Sequence, residues 1–164
     1  DDLEGITVID TTRFAVVLER NREVVILDTS GTELKRTKLE LNGELNSGLE
    51  GITYDSEQKK FYVLNEKDPI LLITLDENLT EINRDTLSFS KDASGIYFNS
   101  ADNILWILSD ESQMIYKTNL SGSEVYEKYR INVKQPEGIT VKKDGTKLYI
   151  ISDINGSLYV FNLE

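Results

Sequence analysis

Carboxylates recur at one place in a repeated motif, directly before a glycine. The acidic copies of the motif are Glu4-Gly5, Glu50-Gly51 and Glu137-Gly138. A further copy has Ser94 in place of the acid, with Asp92 two residues earlier. Carboxylate oxygens are preferred ligands of hard cations such as Ca²⁺, and a carboxylate with a raised pKa can also act as a general base. The motif therefore indicates cation binding or acid–base chemistry.

A second set of acids follows these glycines at a nearly constant distance. Glu66, Asp110 and Asp153 each lie 15 residues after the glycine of their own repeat, and Glu19 lies 14 residues after Gly5. If the residues in between form a hairpin, the beginning of its first strand lies beside the end of its second strand. Both sets of acids are then expected at the same end of the fold.

The glycines mark an internal repeat of the length of a propeller blade. Their intervals are 46, 44 and 43 residues, measured along Gly5, Gly51, Gly95 and Gly138. Each glycine opens a segment of alternating polarity, which is followed by a polar turn, a strongly apolar segment and a third segment. A more polar fourth segment follows in the first three repeats, and no stretch has convincing helical spacing of apolar residues. We therefore predict an all-β fold, a β-propeller of four-stranded antiparallel blades, rather than a solenoid or an open sandwich.

The repeats predict one propeller domain over residues 1–164. Its blades are expected at about 2–47, 48–91, 92–134 and 135–164, the last of them without its outer strand. Because the first strand of every blade lines the central channel of a propeller, both sets of acids are expected around the mouth of that channel.

The composition excludes several kinds of chemistry. The chain has no Cys and no His, which excludes disulfides, thiol nucleophiles, Ser-His-Asp triads and His-based zinc sites. Its net charge of −11 argues against binding to nucleic acid, which needs clustered Lys and Arg. No apolar run approaches the roughly 20 residues of a membrane-spanning helix.

We predict a Ca²⁺ site at the channel mouth, because close carboxylates repel by about 4 kcal/mol per pair at ~4 Å and an effective dielectric near 20. The predicted ligands are Glu4, Glu50 and Glu137, with Glu66, Asp110 and Asp153 as a second set. Two other interpretations stay open: the acids could accept hydrogen bonds from backbone N–H groups and fix the blade connections, or one of them could serve in acid–base catalysis. Arg20 and Lys67, which follow the second set, could pair with it or contact an anion.

Several segments resemble a known family of bacterial propellers. They are Asp2-Leu3-Glu4-Gly5, Gly48–Tyr54, Phe61–Pro69, Asp92–Gly95 and Gln135–Ile139. In this order they are similar to the SdiA-regulated (YjiK-like) family. That resemblance implies a five-bladed propeller with bound calcium, of which these four repeats would be a part, and a distant similarity to NHL-repeat proteins. It also implies a location in the bacterial cell envelope, often behind an N-terminal anchor, and no established reaction.

Three functions follow from these observations and from the resemblance. The first is a calcium-binding propeller of the cell envelope, periplasmic or otherwise outside the cytoplasm. It would act as a binding or scaffold module for a small molecule or a protein at its channel face. The second is a metal-dependent hydrolase of lactones or phosphoesters, because the Glu-Gly motif is also similar, more remotely, to that of gluconolactonase-type propellers. The third is a protein-interaction propeller with structural carboxylates and an exposed apolar patch on one face.

Overall fold

All of the regular secondary structure in the described part of the chain is β-strand. The computed structural model describes residues 2–44, 46–154 and 156–163, so the predicted domain bounds at residues 1 and 164 lie outside it. Fifteen strands follow one another in these ranges, with no helix among them. The described residues accordingly contain no helix of the length and apolarity needed to cross a membrane.

The strands form four separate antiparallel sheets, which are the blades. The first blade contains β1 (Leu3–Val8), β2 (Arg13–Leu18), β3 (Glu23–Asp28) and β4 (Glu33–Lys38). The second contains β5 (Leu49–Asp55), β6 (Lys60–Asn65), β7 (Leu71–Asp76) and β8 (Glu81–Thr86). The third contains β9 (Gly95–Asn99), β10 (Ile104–Ser109), β11 (Met114–Thr118) and β12 (Val125–Arg130). The fourth contains β13 (Pro136–Val141), β14 (Lys147–Ser152) and β15 (Ser157–Asn162).

This arrangement confirms the predicted all-β propeller. In every sheet the strands pair in the order in which they occur in the sequence, as a meander does. The inner strands β1, β5, β9 and β13 lie side by side in that order. A ring of five blades stays a prediction.

Aspartates close the turns between the third and fourth strands of the first two blades. Asp28 accepts hydrogen bonds from the backbone N–H groups of Ser30 (2.8 Å) and Thr32 (2.9 Å). Asp76 accepts the equivalent bonds from Asn78 and Thr80, both at 2.8 Å. Because such side chains replace the missing backbone partners of a tight turn, each outer strand returns directly onto its neighbour.

Most of the apolar core lies between adjacent blades, and one smaller cluster, which contains Val16, Leu18 and Val25, belongs to the first blade alone. Successive residues of a strand point to opposite faces of its sheet. In β6, Val63 therefore packs against the first blade, whereas Leu64 packs against the third. Three such layers hold the four blades together, and the layer between the last two contains Leu108, Ile115 and Ile150.

Glycine lets the inner strands approach one another closely. A Cβ on Gly5 would lie 3.0 Å from the carbonyl oxygen of Glu50 in the next blade. A Cβ on Gly95 would lie 2.9 Å from the carbonyl oxygen of Glu137. The distance at Gly95 is shorter than real Cβ contacts, and the distance at Gly5 is tighter than most of them. Glycine at these positions therefore lets the first strands of neighbouring blades, and the residues before the glycines, lie close together.

The interblade core predicts a clear difference between two isoleucines. Ile73 on β7 is fully buried between the first two blades, whereas Ile82 on the outer strand β8 is half exposed. Ile73→Ala should lower the free energy of unfolding by about 2–5 kcal/mol, because it leaves a cavity. The matched change Ile82→Ala should cost far less. Urea denaturation measures both, and equal losses would contradict this account of the core.

Candidate metal centre

One cavity at the open end of the inner strands collects acids from all four blades. Its volume is about 1150 Å³. The carboxylates that line it are Asp2, Glu4, Glu19, Glu50, Glu66, Asp110, Glu137 and Asp153. Among the residues that the structure describes, Arg20 is the only basic side chain in this lining. All six carboxylates predicted from the sequence as ligands therefore face the same space, while their role as metal ligands stays a prediction.

A β-bulge directs each acid of the first set toward this cavity. In the second blade, Leu49 pairs with Asn65 and Gly51 pairs with Leu64, so that Glu50 is the extra residue between two regular pairs. A bulge bends the strand locally and changes the direction of a side chain. The corresponding irregularities in the first and fourth blades contain Glu4 and Glu137.

The second set is held in place by its own backbone. In three blades, the backbone N–H of the second-set acid donates a hydrogen bond to a backbone carbonyl oxygen. The accepting residue lies two positions before the first-set acid of the same blade. The three bonds are Glu19 to Asp2 (3.0 Å), Glu66 to Gly48 (2.8 Å) and Asp153 to Gln135 (3.0 Å). The end of each second strand therefore lies beside the beginning of the first strand, as the hairpin argument predicted.

The third blade differs because its serine has a structural partner. The Ser94 hydroxyl donates to the carbonyl oxygen of Pro136 at 2.7 Å and so joins the third blade to the fourth. The buried Asp92 accepts a hydrogen bond from the Ser109 hydroxyl and another from the backbone N–H of Glu111 (3.1 Å). In this blade, the interpretation that polar residues fix the connections accounts for both Ser94 and Asp92.

Two groups of three carboxylates lie close enough to hold one cation. The first consists of Glu19, Glu50 and Glu66, in which one oxygen of each lies within 4.8 Å of the others. The second consists of Asp2, Glu4 and Glu19, and again one carboxylate oxygen of each lies within 4.8 Å of the others. Glu137, Asp110 and Asp153 line the cavity but belong to neither group.

Glu19 is the residue that the two groups share. The sequence places it among the second set but does not single it out as a ligand. Only 6% of its surface is exposed. The hydrogen bond that its carboxylate accepts, from the backbone N–H of Gly48, is long at 3.5 Å. A Cβ on Gly48 would lie 2.4 Å from the carbonyl oxygen of Glu19, so glycine is what allows this contact.

Burial and the repulsion of neighbouring carboxylates raise the pKa values of Glu50 and Glu137. Burial raises the pKa of the Glu50 carboxyl to about 9, and the negative charges of Glu4 and Glu66 add to the rise. Burial likewise raises the pKa of Glu137 to about 7, with a contribution from the charge of Asp110. A neighbouring cation has the opposite effect and favours the ionised form.

The two basic residues at the rim pair with acids. Lys67 Nζ lies 2.9 Å from Glu66 Oε1 and 2.9 Å from Glu111 Oε1. Arg20 Nε lies 2.9 Å from Asp2 Oδ2. Lys67 therefore pairs with the second set, as one of its two predicted roles requires, whereas Arg20 pairs with Asp2, which lies outside that set. Among the described residues, the other three acids of the two groups, Glu4, Glu19 and Glu50, have no basic partner within salt-bridge distance.

The fold and the acidic mouth define this protein as a β-propeller with carboxylates around one channel opening. The chain matches the family model described as SdiA-regulated over residues 1–162, and it belongs to that family. The family resemblance predicted from the sequence is thereby confirmed.

Solved structures agree on the fold. The chain is similar to one in a nidogen/laminin complex (18% identity, TM-score 0.75, 98% of this chain and 59% of that chain). It is also similar to streptogramin B lyase (16% identity, TM-score 0.67, 98% of this chain and 54% of that chain). A third similar structure is virginiamycin B lyase from Staphylococcus aureus (14% identity, TM-score 0.66, 99% of this chain and 56% of that chain). The likeness agrees with the expected distant similarity to NHL-repeat propellers. At these identities it shows the fold alone, and the chain spans little more than half the length of those chains.

The raised pKa values predict a pH dependence of the metal-free protein. The carboxyls of Glu50 and Glu137 have pKa values of about 9 and about 7, against an ordinary value of 4.5. Between about pH 5 and pH 9 the folded state therefore binds more protons than the unfolded chain, so stability falls as the pH rises through this window. The stabilisation is fully present below 4.5 and is lost by about pH 9.

Urea denaturation in the presence of a chelator measures this slope. We expect a loss of about 2 kcal/mol or more across the window. Glu50→Gln should flatten the slope, whereas the exposed control Glu57→Gln should leave it unchanged. A metal-free protein that gains stability from pH 5 to pH 9 would contradict the electrostatic account.

Proposed function

We propose that this chain is a calcium-binding propeller that serves as a binding or scaffold module, with the cation held at the channel mouth by Glu19, Glu50 and Glu66. The observation that carries the proposal is the closeness of these three carboxylates, whose oxygens lie within 4.8 Å of one another. They come from the first two blades, so a cation between them would also join those blades.

The donor set fits a hard cation such as calcium. The lining supplies carboxylate, amide and carbonyl oxygens, and the chain has neither thiol nor imidazole ligands. Calcium accepts about 6–8 oxygen ligands in flexible geometry, so water or further carboxylates would complete the shell. The family resemblance implies the same metal.

The acids outside this group would contribute by their charge. Glu4, Glu137, Asp110 and Asp153 line the same cavity and make its potential negative. A cleft lined by charge of one sign concentrates counter-ions and speeds their arrival. We infer that these four residues attract the cation and bind it less directly than Glu19, Glu50 and Glu66.

Calcium titration tests the proposal. At a concentration of about 100 times the dissociation constant, binding should stabilise the protein by about 2.7 kcal/mol. That corresponds to a rise in Tm of roughly 5–10 °C for a domain of this size. Glu19→Gln alone, or Glu50→Gln with Glu66→Gln, should abolish the rise and the binding heat in calorimetry, because each removes ligand charge from the group.

The control variant removes the same charge elsewhere. Glu57→Gln with Glu124→Gln changes two exposed acids on turns and should leave the calcium response intact. Calcium that leaves Tm and calorimetry unchanged for the unmodified protein would disprove the proposed metal site. A calcium response that survives Glu19→Gln would show that the metal site lies outside the group of Glu19, Glu50 and Glu66.

The channel face and the family resemblance support a proposal for the partner and the location. We propose that the ligand of the module is a small molecule or a protein that contacts the channel face, where the cavity and its charges lie. A place in the bacterial cell envelope, with or without an anchor in the full-length protein, is supported by the family resemblance alone.

A metal-dependent hydrolase of lactones or phosphoesters is the second candidate. Its support is Glu137, which lines the cavity outside the proposed metal ligands and whose pKa is raised by burial to about 7. A general base works best with a pKa near the working pH, and a nearby metal can polarise a carbonyl or phosphoryl oxygen or activate water.

A panel of lactones and phosphoesters, assayed with calcium, magnesium and manganese, tests this second function. Glu137→Gln should lower kcat/KM by roughly 10²–10⁴ while calcium binding persists, because Glu137 lies outside the three proposed ligands. Turnover that is unaffected by Glu137→Gln would remove this residue as the base. If no substrate of either class is converted, the hydrolase is discarded and the binding module stands.

A further inference from the structure

A lysine at the rim of the cavity contacts one acid of the proposed metal group. Lys67 Nζ lies 2.9 Å from Glu66 Oε1, and Glu66 is one of the three carboxylates whose oxygens lie within 4.8 Å of one another. The other two members of the group are Glu19 and Glu50. As far as the described residues show, the Lys67 ammonium is the one side-chain cation in direct contact with this group.

The backbone on both sides of this ion pair is fixed. The N–H of Glu66 donates to the carbonyl oxygen of Gly48 (2.8 Å), and the carbonyl oxygen of Glu66 accepts from the N–H of Ala93 (3.1 Å). The amide of Asn65, which is 1% exposed, donates to the carbonyl oxygen of Lys67 at 3.0 Å. Any exchange of partners by Lys67 is therefore confined to its side chain, which is flexible and about a third exposed.

Lys67 has a second partner outside the metal group. Its Nζ also lies 2.9 Å from Glu111 Oε1, which belongs to the third blade. The backbone N–H of Glu111 donates to the buried carboxylate of Asp92 at 3.1 Å, which fixes the position of this acid. The side chain of Glu111 is about half exposed, whereas that of Glu66 is only 17% exposed. Lys67 can therefore leave Glu66 without losing its last carboxylate partner.

A divalent cation on Glu66 changes the balance between these two partners. Calcium binds oxygen ligands at about 2.3–2.6 Å, so it approaches a carboxylate more closely than an ammonium group does and carries twice its charge. Two cations that share one carboxylate repel each other strongly at such distances. Glu111 then offers the Lys67 ammonium a carboxylate outside the metal group.

We propose that Lys67 competes with the cation for Glu66: it neutralises Glu66 in the metal-free protein and moves entirely onto Glu111 when the cation binds. The inference rests on the proposed function, because it assigns a regulating residue to the same site. Lys67 thereby lowers the affinity of the site, and Glu111 determines how readily Lys67 leaves. In the cation-bound protein, Lys67 joins the second blade to the third, while the metal joins the first blade to the second.

Calorimetric titration with calcium chloride measures this competition. Lys67→Met keeps the length of the side chain and removes its charge, so the dissociation constant for calcium should fall about three- to tenfold. Arg20→Met is the matched control, because Arg20 lines the same cavity but pairs with Asp2, outside the group. It should change the constant by less than about twofold, since solvent and salt screen its charge. An affinity that Lys67→Met leaves unchanged or weakens, or an equal gain from both variants, would overturn the proposal.

Glu111→Gln should have the opposite effect on calcium affinity. It removes the second partner of Lys67, so calcium should bind about two- to fivefold more weakly. In a Lys67→Met background, the same change should have almost no effect, because no ammonium group remains to be displaced. If Glu111→Gln weakens binding equally with and without Lys67, its charge acts independently of Lys67 and the proposal fails.

Thermal denaturation adds a measurement without calcium. In a chelator, Lys67→Met should lower Tm by roughly 1–4 °C, because Glu66 loses its basic partner, and saturating calcium should reduce this difference. Circular dichroism establishes that the variants are folded, and Lys67→Gln replaces Lys67→Met if that variant is not. If calcium binds neither the unmodified protein nor Lys67→Met, the proposed metal site fails and this inference fails with it. If calcium binds both with equal affinity, the metal site stands and only the competition by Lys67 is disproved.

Discussion

Repulsion between carboxylates that the backbone holds together is the constraint on which the channel mouth depends. At ~4 Å and an effective dielectric near 20, a pair of such charges repels by about 4 kcal/mol. The backbone of Glu50 is fixed near the other acids, because Glu50 is the extra residue of a bulge between two regular strand pairs. The charge must therefore be neutralised by a proton or by a cation, and the raised pKa of Glu50 reflects the first of these solutions.

Packing elsewhere in the fold offsets the repulsion between these carboxylates. Three apolar layers between the blades supply the stabilisation, and none of them depends on the acids. Glycines at the blade openings bring the inner strands together, so the acids beside them converge without any long connection. Structural support and chemistry thus occupy different parts of each blade, with the core along the sheet faces and the carboxylates at the strand ends.

The sequence predicted the blades because their signals are local. Alternating polarity, polar turns and glycine intervals each lie within one repeat, and the position of Glu66, Asp110 and Asp153 follows from the pairing of a single hairpin. Glu19 was harder to assign as a ligand. The first turn of its blade is one residue shorter, so a count from Gly5 misaligns it, whereas its backbone bond to Asp2 aligns it with Glu66.

Other features of the site could not be read from the sequence. Bulges depend on which residues pair across two strands, and the burial of Glu19 depends on the close approach of Gly48 from the next blade. Asp2 precedes Glu4 by two residues, but only the fold brings Glu19 to the same pair of acids.

Strand pairing in sequence order has an evolutionary consequence. Since each sheet is closed by its own consecutive strands, a whole blade can be duplicated or deleted as one genetic unit without rethreading the others. Every added unit of the acidic type brings two more negative charges to the axis. A propeller with more blades of this type would therefore carry more negative charge at its axis, whereas a blade like the third, with Ser94 in the first set, adds one acid fewer.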